Sequence, residues 1–124
     1  MSERDRLRDM WRQQHEFVQF LCKKRNFPEA PVDLTSKQGQ KFLKNITYEC
    51  MGELFEANQE LKNSKAHRVT EIAEIDRGAY LEELVDSLHY FFEIAIYSGI
   101  SLDELYEAYM TKGDTNKKRI ENSY

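Results

Sequence analysis

Four glutamates, Glu49, Glu53, Glu56 and Glu60, recur along one stretch of the chain at spacings of four, three and four. On a helix turning ~100° per residue they form a single row. A second acidic pair, Glu83 and Asp86, stands three apart, with Glu82 beside it. Such spacings on two facing helices converge several carboxylate oxygens on one point. Oxygen-only ligands suit magnesium or manganese rather than zinc. The chemistry to expect is a divalent cation held against an anionic ligand. An acidic row is also what a solvated helix face looks like, and Glu is a good helix former, so the pattern alone leaves both readings open.

The flanks of the row bear on that choice. Leu43, Ile46, Cys50, Leu54, Ala57 and Leu61 form one apolar stripe, and Tyr48, Met51 and Phe55 form a second on nearly the opposite side. With both stripes buried, the carboxylates would sit in a partly desolvated seam. Crowded like charges lose hydration there and repel, and a divalent cation relieves both costs. The second stripe is equally suited to a contact between copies of the chain, which predicts a homodimer or homotetramer.

The C-terminal end of this acidic chain turns basic. Lys112, Asn116 and Arg119 share one side if a helix continues through them. Ammonium and guanidinium groups suit phosphate oxygens. The same residues also serve as a solvated basic end that offsets a helix dipole.

Four helices and no strand would position these groups. The first runs roughly from Glu3 to Lys24, with Leu7, Met10, Trp11, Phe17, Val18, Leu21 and Cys22 at threes and fours, and Pro28 and Pro31 follow it. The second runs from a cap at Ser36 to about Lys62. The stretch from Ala66 to Arg77 reads as a short helix or an ordered loop. The third runs from Gly78 to Tyr97. It is apolar nearly all round from Leu88 onward, hence central, and is stopped by Gly99. Ser101 and Glu104 make a capping box for the fourth. Short linkers imply antiparallel neighbours. The expected fold is all-α: a compact antiparallel four-helix unit, one domain over residues 1–124, assembling into an oligomer.

Composition narrows the function classes. A chain of 124 residues with 5 Gly and 2 Pro favours long helices over a turn-rich β protein. A net charge of -4 argues against a nucleic-acid partner. Cys22 and Cys50 lack zinc spacing and fit a reducing compartment. Neither a signal peptide nor a membrane span is visible, so the cytoplasm is the expected location.

Three segments together resemble the all-α nucleotide pyrophosphatase superfamily, which includes the dimeric dUTPases, the phage-type dCTP/dUTP pyrophosphatases and the MazG-type enzymes. Residues 46–54 resemble its first acidic helix. Residues 83–91, with Glu-x-x-Asp followed by His and an aromatic residue, resemble its second. Tyr109, Lys112, Asn116, Arg119 and Ser123-Tyr124 resemble the C-terminal motif of the dUTPase branch, with Ser123 standing where that motif has Gly.

The resemblance implies a magnesium-dependent diphosphatase, manganese being a possible substitute, that converts dUTP to dUMP and pyrophosphate. The alternatives are a broader MazG-type or dCTP-directed enzyme and, from another class, a non-catalytic helical interaction module. It further implies metal ligands among Glu49, Glu53, Glu56, Glu83 and Asp86, with Glu49 or Glu53 as the base toward water. The family spaces its first two ligands three apart; Glu49 and Glu53 are four apart and Glu53 and Glu56 three, so the pair is left open. Lys112, Asn116, Arg119 and Tyr124 would grip phosphate. Gln14 first, then Gln13, would read the base beside Trp11 or Phe17, and His89 is either a base contact or a hydrogen-bonded core histidine. The cytoplasm would be a host's if the chain is phage-encoded.

Overall fold

The periodic stretches become four α-helices: α1 (Arg6–Arg25), α2 (Lys37–Asn58), α3 (Arg77–Tyr97) and α4 (Leu102–Glu121). The structure, a computed structural model, describes residues 4–72 and 74–123, and among these there is no strand. The fold is an all-α helical bundle.

Every helix begins on a side-chain oxygen that accepts an otherwise orphaned backbone N–H. Ser36 accepts from Gly39 and Ser101 from Glu104, as their sequence positions foretell. Asp5 caps α1 and Asp76 caps α3. The expected start of the first helix at Glu3 lies outside the described residues. At the end of α3, Gly99 takes φ 75°. It donates to the Ile96 carbonyl while Ile100 donates to that of Ala95, closing the turn a left-handed residue makes possible. Among the described residues of 66–76 there is no helix.

The α2–α3 pair is the centre of the molecule. The helices run antiparallel: Phe42 meets Tyr97 edge-on at 4.8 Å, Cys50 lies opposite Ser87, and Glu53 and Glu56 lie opposite Glu83. At the middle level the Cys50 thiol donates to the Ser87 carbonyl (3.3 Å) and the Ser87 hydroxyl donates to the Cys50 carbonyl (3.3 Å). Small side chains here let the two axes approach closely. Ala57, also buried, continues that contact.

Helix α1 covers the other side of α3. Trp11 packs edge-on against Phe92 at 5.3 Å, and Val18 joins Ile46, Ile96 and Tyr97 in the buried cluster. The α1–α2 loop is fastened by the Val32 N–H donating to the Tyr97 carbonyl (2.9 Å), which sets Phe27 edge-on to Phe42. Helix α4 joins the bundle at its first turn, through buried Leu102 and an Arg8–Asp103 ion pair of 3.4 Å. Farther along it Tyr106, Tyr109, Met110 and Ile120 are exposed.

The two stripes of α2 differ in fate. Ile46, Cys50 and Ala57 of the first are buried while its Leu54 and Leu61 are exposed, and Tyr48, Met51 and Phe55 of the second all face outward. The acidic seam is therefore covered on one side within a single chain, not on both. Among the described residues no helix is long and apolar enough to cross a membrane.

Replacing Ser87 with Leu should wedge α2 from α3. Overpacking of this kind costs about 1–3 kcal/mol. Thermal unfolding of Ser87→Leu should show a loss of several degrees; an unchanged melting temperature would mean that the helices do not meet closely at this level.

Candidate active site

A cleft of about 710 Å³ opens between α1, α2 and α3. Two opposed environments share it. Glu49 and Glu53 from α2 and Asp86 from α3 line its acidic part. Phe17 and Leu21 from α1, Phe27 from the loop and Phe42 from α2 line an apolar part, with Gln14 and Asn45 among them. Tyr90, His89 and Glu93 continue the α3 wall.

Beside the acidic part, one carboxylate oxygen from each of Glu53, Glu56 and Glu83 lies within 4.8 Å of the others, and of these three Glu53 is the one that also lines the cleft. The grouping follows from the fold. Glu53 and Glu56 are neighbours on α2, and the Cys50–Ser87 contact one turn away fixes the level at which Glu83 faces them. One Glu83 oxygen, Oε2, is buried without a hydrogen-bond partner. Sharing its proton with Glu53 and then with Glu56, assisted by desolvation and by their charge, pushes the Glu83 carboxyl up to about 7. Three acidic groups thus compete for the negative charge in one small volume, a conflict that a proton or a divalent cation resolves. The donor set is all carboxylate, which fits magnesium or manganese.

Midway along the cleft, burial raises the Tyr90 phenol above its ordinary value, and the negative charge of Glu49, Glu93, Glu53 and Asp86 adds to the effect. Its hydroxyl is therefore kept protonated, as a donor among acceptors. Glu93 lies one turn farther along α3. It is 4% exposed, and burial alone pushes its carboxyl up to about 7. The neighbouring Tyr97 hydroxyl is fully buried without a partner. Burial first, then Glu93 and Cys22, pushes it up to about 12.

Of the residues singled out from sequence, Glu53, Glu56 and Glu83 come together, and Asp86 and Glu49 line the cleft with Glu53. Of the two α2 pairs, Glu53 and Glu56 are the one grouped with Glu83, while Glu49 and Glu53 are the one that lines the cleft. Gln14 is 4% exposed and faces the cleft, while Gln13 is exposed and does not line it. Phe17 lines the cleft, but Trp11 turns to Phe92. His89 is exposed on the cleft wall, which excludes the core-histidine alternative.

Lys112, Asn116 and Arg119 lie on the distal half of α4 and do not line the cleft; within one chain the fold does not bring them to the carboxylates. Tyr124 lies outside the described residues. Ser123, just before it, has φ 57°, a conformation that favours the Gly found there in the resembling motif. Sequence reasoning missed Tyr90, Asn45 and Glu93. Tyr90 and Asn45 are each one helical turn from an acidic residue already flagged, and Glu93 is a charged residue within an otherwise apolar run. No protein-family model matches the chain, nor does any curated protein or solved structure.

The metal-free protein should lose stability as pH rises. Glu83 and Glu93 both titrate near 7 in the fold against 4.5 as ordinary glutamates. Their neutral forms are thus favoured by folding, an advantage complete below about pH 4.5 and lost by about pH 7. Thermal unfolding at about pH 5 and pH 8 should show the lower melting temperature at the higher pH, with millimolar magnesium or manganese restoring it there and not at the lower one. Metal-independent melting at both pH values would contradict the crowded-carboxylate account.

Proposed function

We propose that this protein is a metal-dependent nucleoside triphosphate diphosphatase, with dUTP as its preferred substrate. One observation carries the reading. A single cleft runs from Glu49, Asp86 and Glu53, the last of which belongs to the three-carboxylate cluster, to an aromatic-walled end that holds a buried amide. Glu83 and Glu93 are ten positions apart on α3, about 15 Å along the axis. That is enough to span a nucleotide from its phosphates to its base. The resemblance of residues 46–54, 83–91 and 109–124 to the all-α nucleotide pyrophosphatases supports the same assignment, as does the three-residue spacing of Glu53 and Glu56.

In this reading Glu53, Glu56, Glu83 and Asp86 hold magnesium. Bound there, it would supply positive charge against the triphosphate and stabilise charge developing on the phosphoryl oxygens. Glu49 stands outside the tight cluster but lines the same cleft, so it is the residue to orient water and accept its proton. The water oxygen bonds to phosphorus, the bridge between the α and β phosphates breaks, and its electrons leave on the released group. Tyr90 donates a hydrogen bond to the ligand from mid-cleft. Phe17, Phe27 and Phe42 exclude water from the base, and Gln14 presents a donor and an acceptor to its edge. His89 contacts the sugar or base from the opening.

The phosphate-gripping role of Lys112, Asn116 and Arg119 needs a second copy of the chain. Helix α4 carries exposed Tyr106, Tyr109 and Met110, and α2 carries exposed Tyr48, Met51 and Phe55. Apolar surfaces of this extent usually mark an interface. Burying them against each other makes a homodimer or homotetramer, closes the second side of the acidic seam and delivers the basic end of α4 to a neighbouring cleft.

Pyrophosphate release over a nucleotide panel, with and without magnesium, tests the activity. Strict magnesium dependence and a strong preference for dUTP are expected. Flat activity across the standard deoxynucleotides would favour a broader house-cleaning enzyme. No release from any nucleotide would favour a non-catalytic interaction module. Asp86→Ala should lower turnover by about a thousandfold or more, since it removes transition-state charge stabilisation worth several kcal/mol.

Sedimentation should show an assembly larger than one chain. Mixing inactive Asp86→Ala chains with inactive Lys112→Ala chains should restore part of the activity, because mixed oligomers regain an intact site. A monodisperse monomer with full activity would exclude the shared-site arrangement.

A further inference from the structure

Glu93 is out of place by every rule of helix burial. It sits in the most apolar part of α3, between Phe92 and Ile94, at 4% exposure. Among the described residues its carboxyl forms no hydrogen bond or ion pair. A buried acid without a partner costs stability that a Gln or Leu in its place would not. Yet it is not sealed in the core, for it lines the same cleft as Glu49, Glu53 and Asp86. Gln14 has the same character: 4% exposed, without a side-chain hydrogen bond among the described residues, and lining the cleft.

The packing sets the two side by side. Gln14 lies one turn after Trp11, which packs on Phe92, and one turn before Val18, which clusters with Ile96. It is therefore level with Glu93 on the facing helix. Phe42 and Phe27 supply a flat apolar surface beside them. Two polar side chains of low exposure that open onto the cleft beside an aromatic wall leave their hydrogen-bonding groups free for a ligand.

Building on the nucleotide reading above, we infer that Glu93 is a base-reading residue, which with Gln14 recognises the Watson–Crick edge of a pyrimidine by accepting one of its N–H groups. Uracil offers its ring N3–H and cytosine its exocyclic amine. A carboxylate is an acceptor only, whereas the neutral acid also donates, so it can pair with an adjacent carbonyl such as the uracil O4. Burial holds Glu93 near the point where both forms are populated at neutral pH. Gln14 completes the edge with whichever amide face the remaining group requires. The carboxyl is unbonded because the base is its partner, and the stability lost on burying it is recovered when substrate binds.

The test compares Glu93→Gln and Glu93→Leu with the wild type, using dUTP and dCTP with magnesium. Both variants remove a buried titratable group, so both should melt at or above the wild-type temperature at about pH 8, and folding is not in question. Base contacts are made in ground and transition states alike, so their loss raises KM with little change in kcat. Glu93→Leu should raise KM for the preferred nucleotide by about tenfold or more. Glu93→Gln, which keeps an acceptor, should retain tighter binding than Glu93→Leu and shift the dUTP-to-dCTP ratio of kcat/KM. Folded variants with wild-type KM and an unchanged ratio would overturn the inference while leaving the diphosphatase reading intact. A wild-type protein that hydrolyses no nucleotide would remove both.

Discussion

Close approach of α2 and α3 at Cys50 and Ser87 is the constraint on which the molecule rests. Two small side chains bond across the interface at 3.3 Å in each direction. That contact fixes the separation and register of the helices together. One turn away, the same register sets Glu83 against Glu53 and Glu56. Hydrophobic packing of Ile46, Ala57, Ile96 and Tyr97 thus holds three like charges closer than they would choose. Folding supplies the force, and the acidic cluster stores the strain as a raised proton affinity at Glu83.

The cleft has polarity along its length for the same reason. Where α2 and α3 stand alone, solvent reaches the carboxylates. Where α1 and the α1–α2 loop approach α3, Phe17, Phe27 and Phe42 give the cleft an apolar lining. Polar groups change character across that boundary. Glu83 is perturbed by its neighbours, first through proton sharing, whereas Glu93 is perturbed by burial alone. On the reading proposed above, a cation held by the carboxylates would receive the phosphates of a nucleotide at one end, and the aromatic residues its base at the other. Helix α4 stands apart from this logic, held at its first turn and apolar at exposed positions farther along.

Much of the fold was legible because local signals were strong. Ser36, Ser101 and Gly99 marked helix ends by cap chemistry, and periodicity marked the bodies. The errors came where packing decides. The expected second helix continued to Lys62, through residues that favour helix, but α2 stops at Asn58. Antiparallel to it, α3 begins at Arg77, so beyond Asn58 there is no partner face to bury against, and helical propensity alone does not sustain another turn. The acidic seam was visible from spacing. The choice between Glu49–Glu53 and Glu53–Glu56 was not, since it depends on which face of α2 meets Glu83. Glu93 escaped notice because, within a hydrophobic run, a single charge reads as an exception. Its meaning lies in what surrounds it, which only the packing reveals.

The most direct measurement is a crystal structure with manganese and a non-hydrolysable dUTP analogue, using anomalous scattering to locate the ion. The account predicts an ion bridging the phosphates and the Glu53, Glu56 and Glu83 carboxylates, with oxygens about 2.1 Å from the metal. Ions absent from that cluster in a complex with nucleotide bound would contradict it.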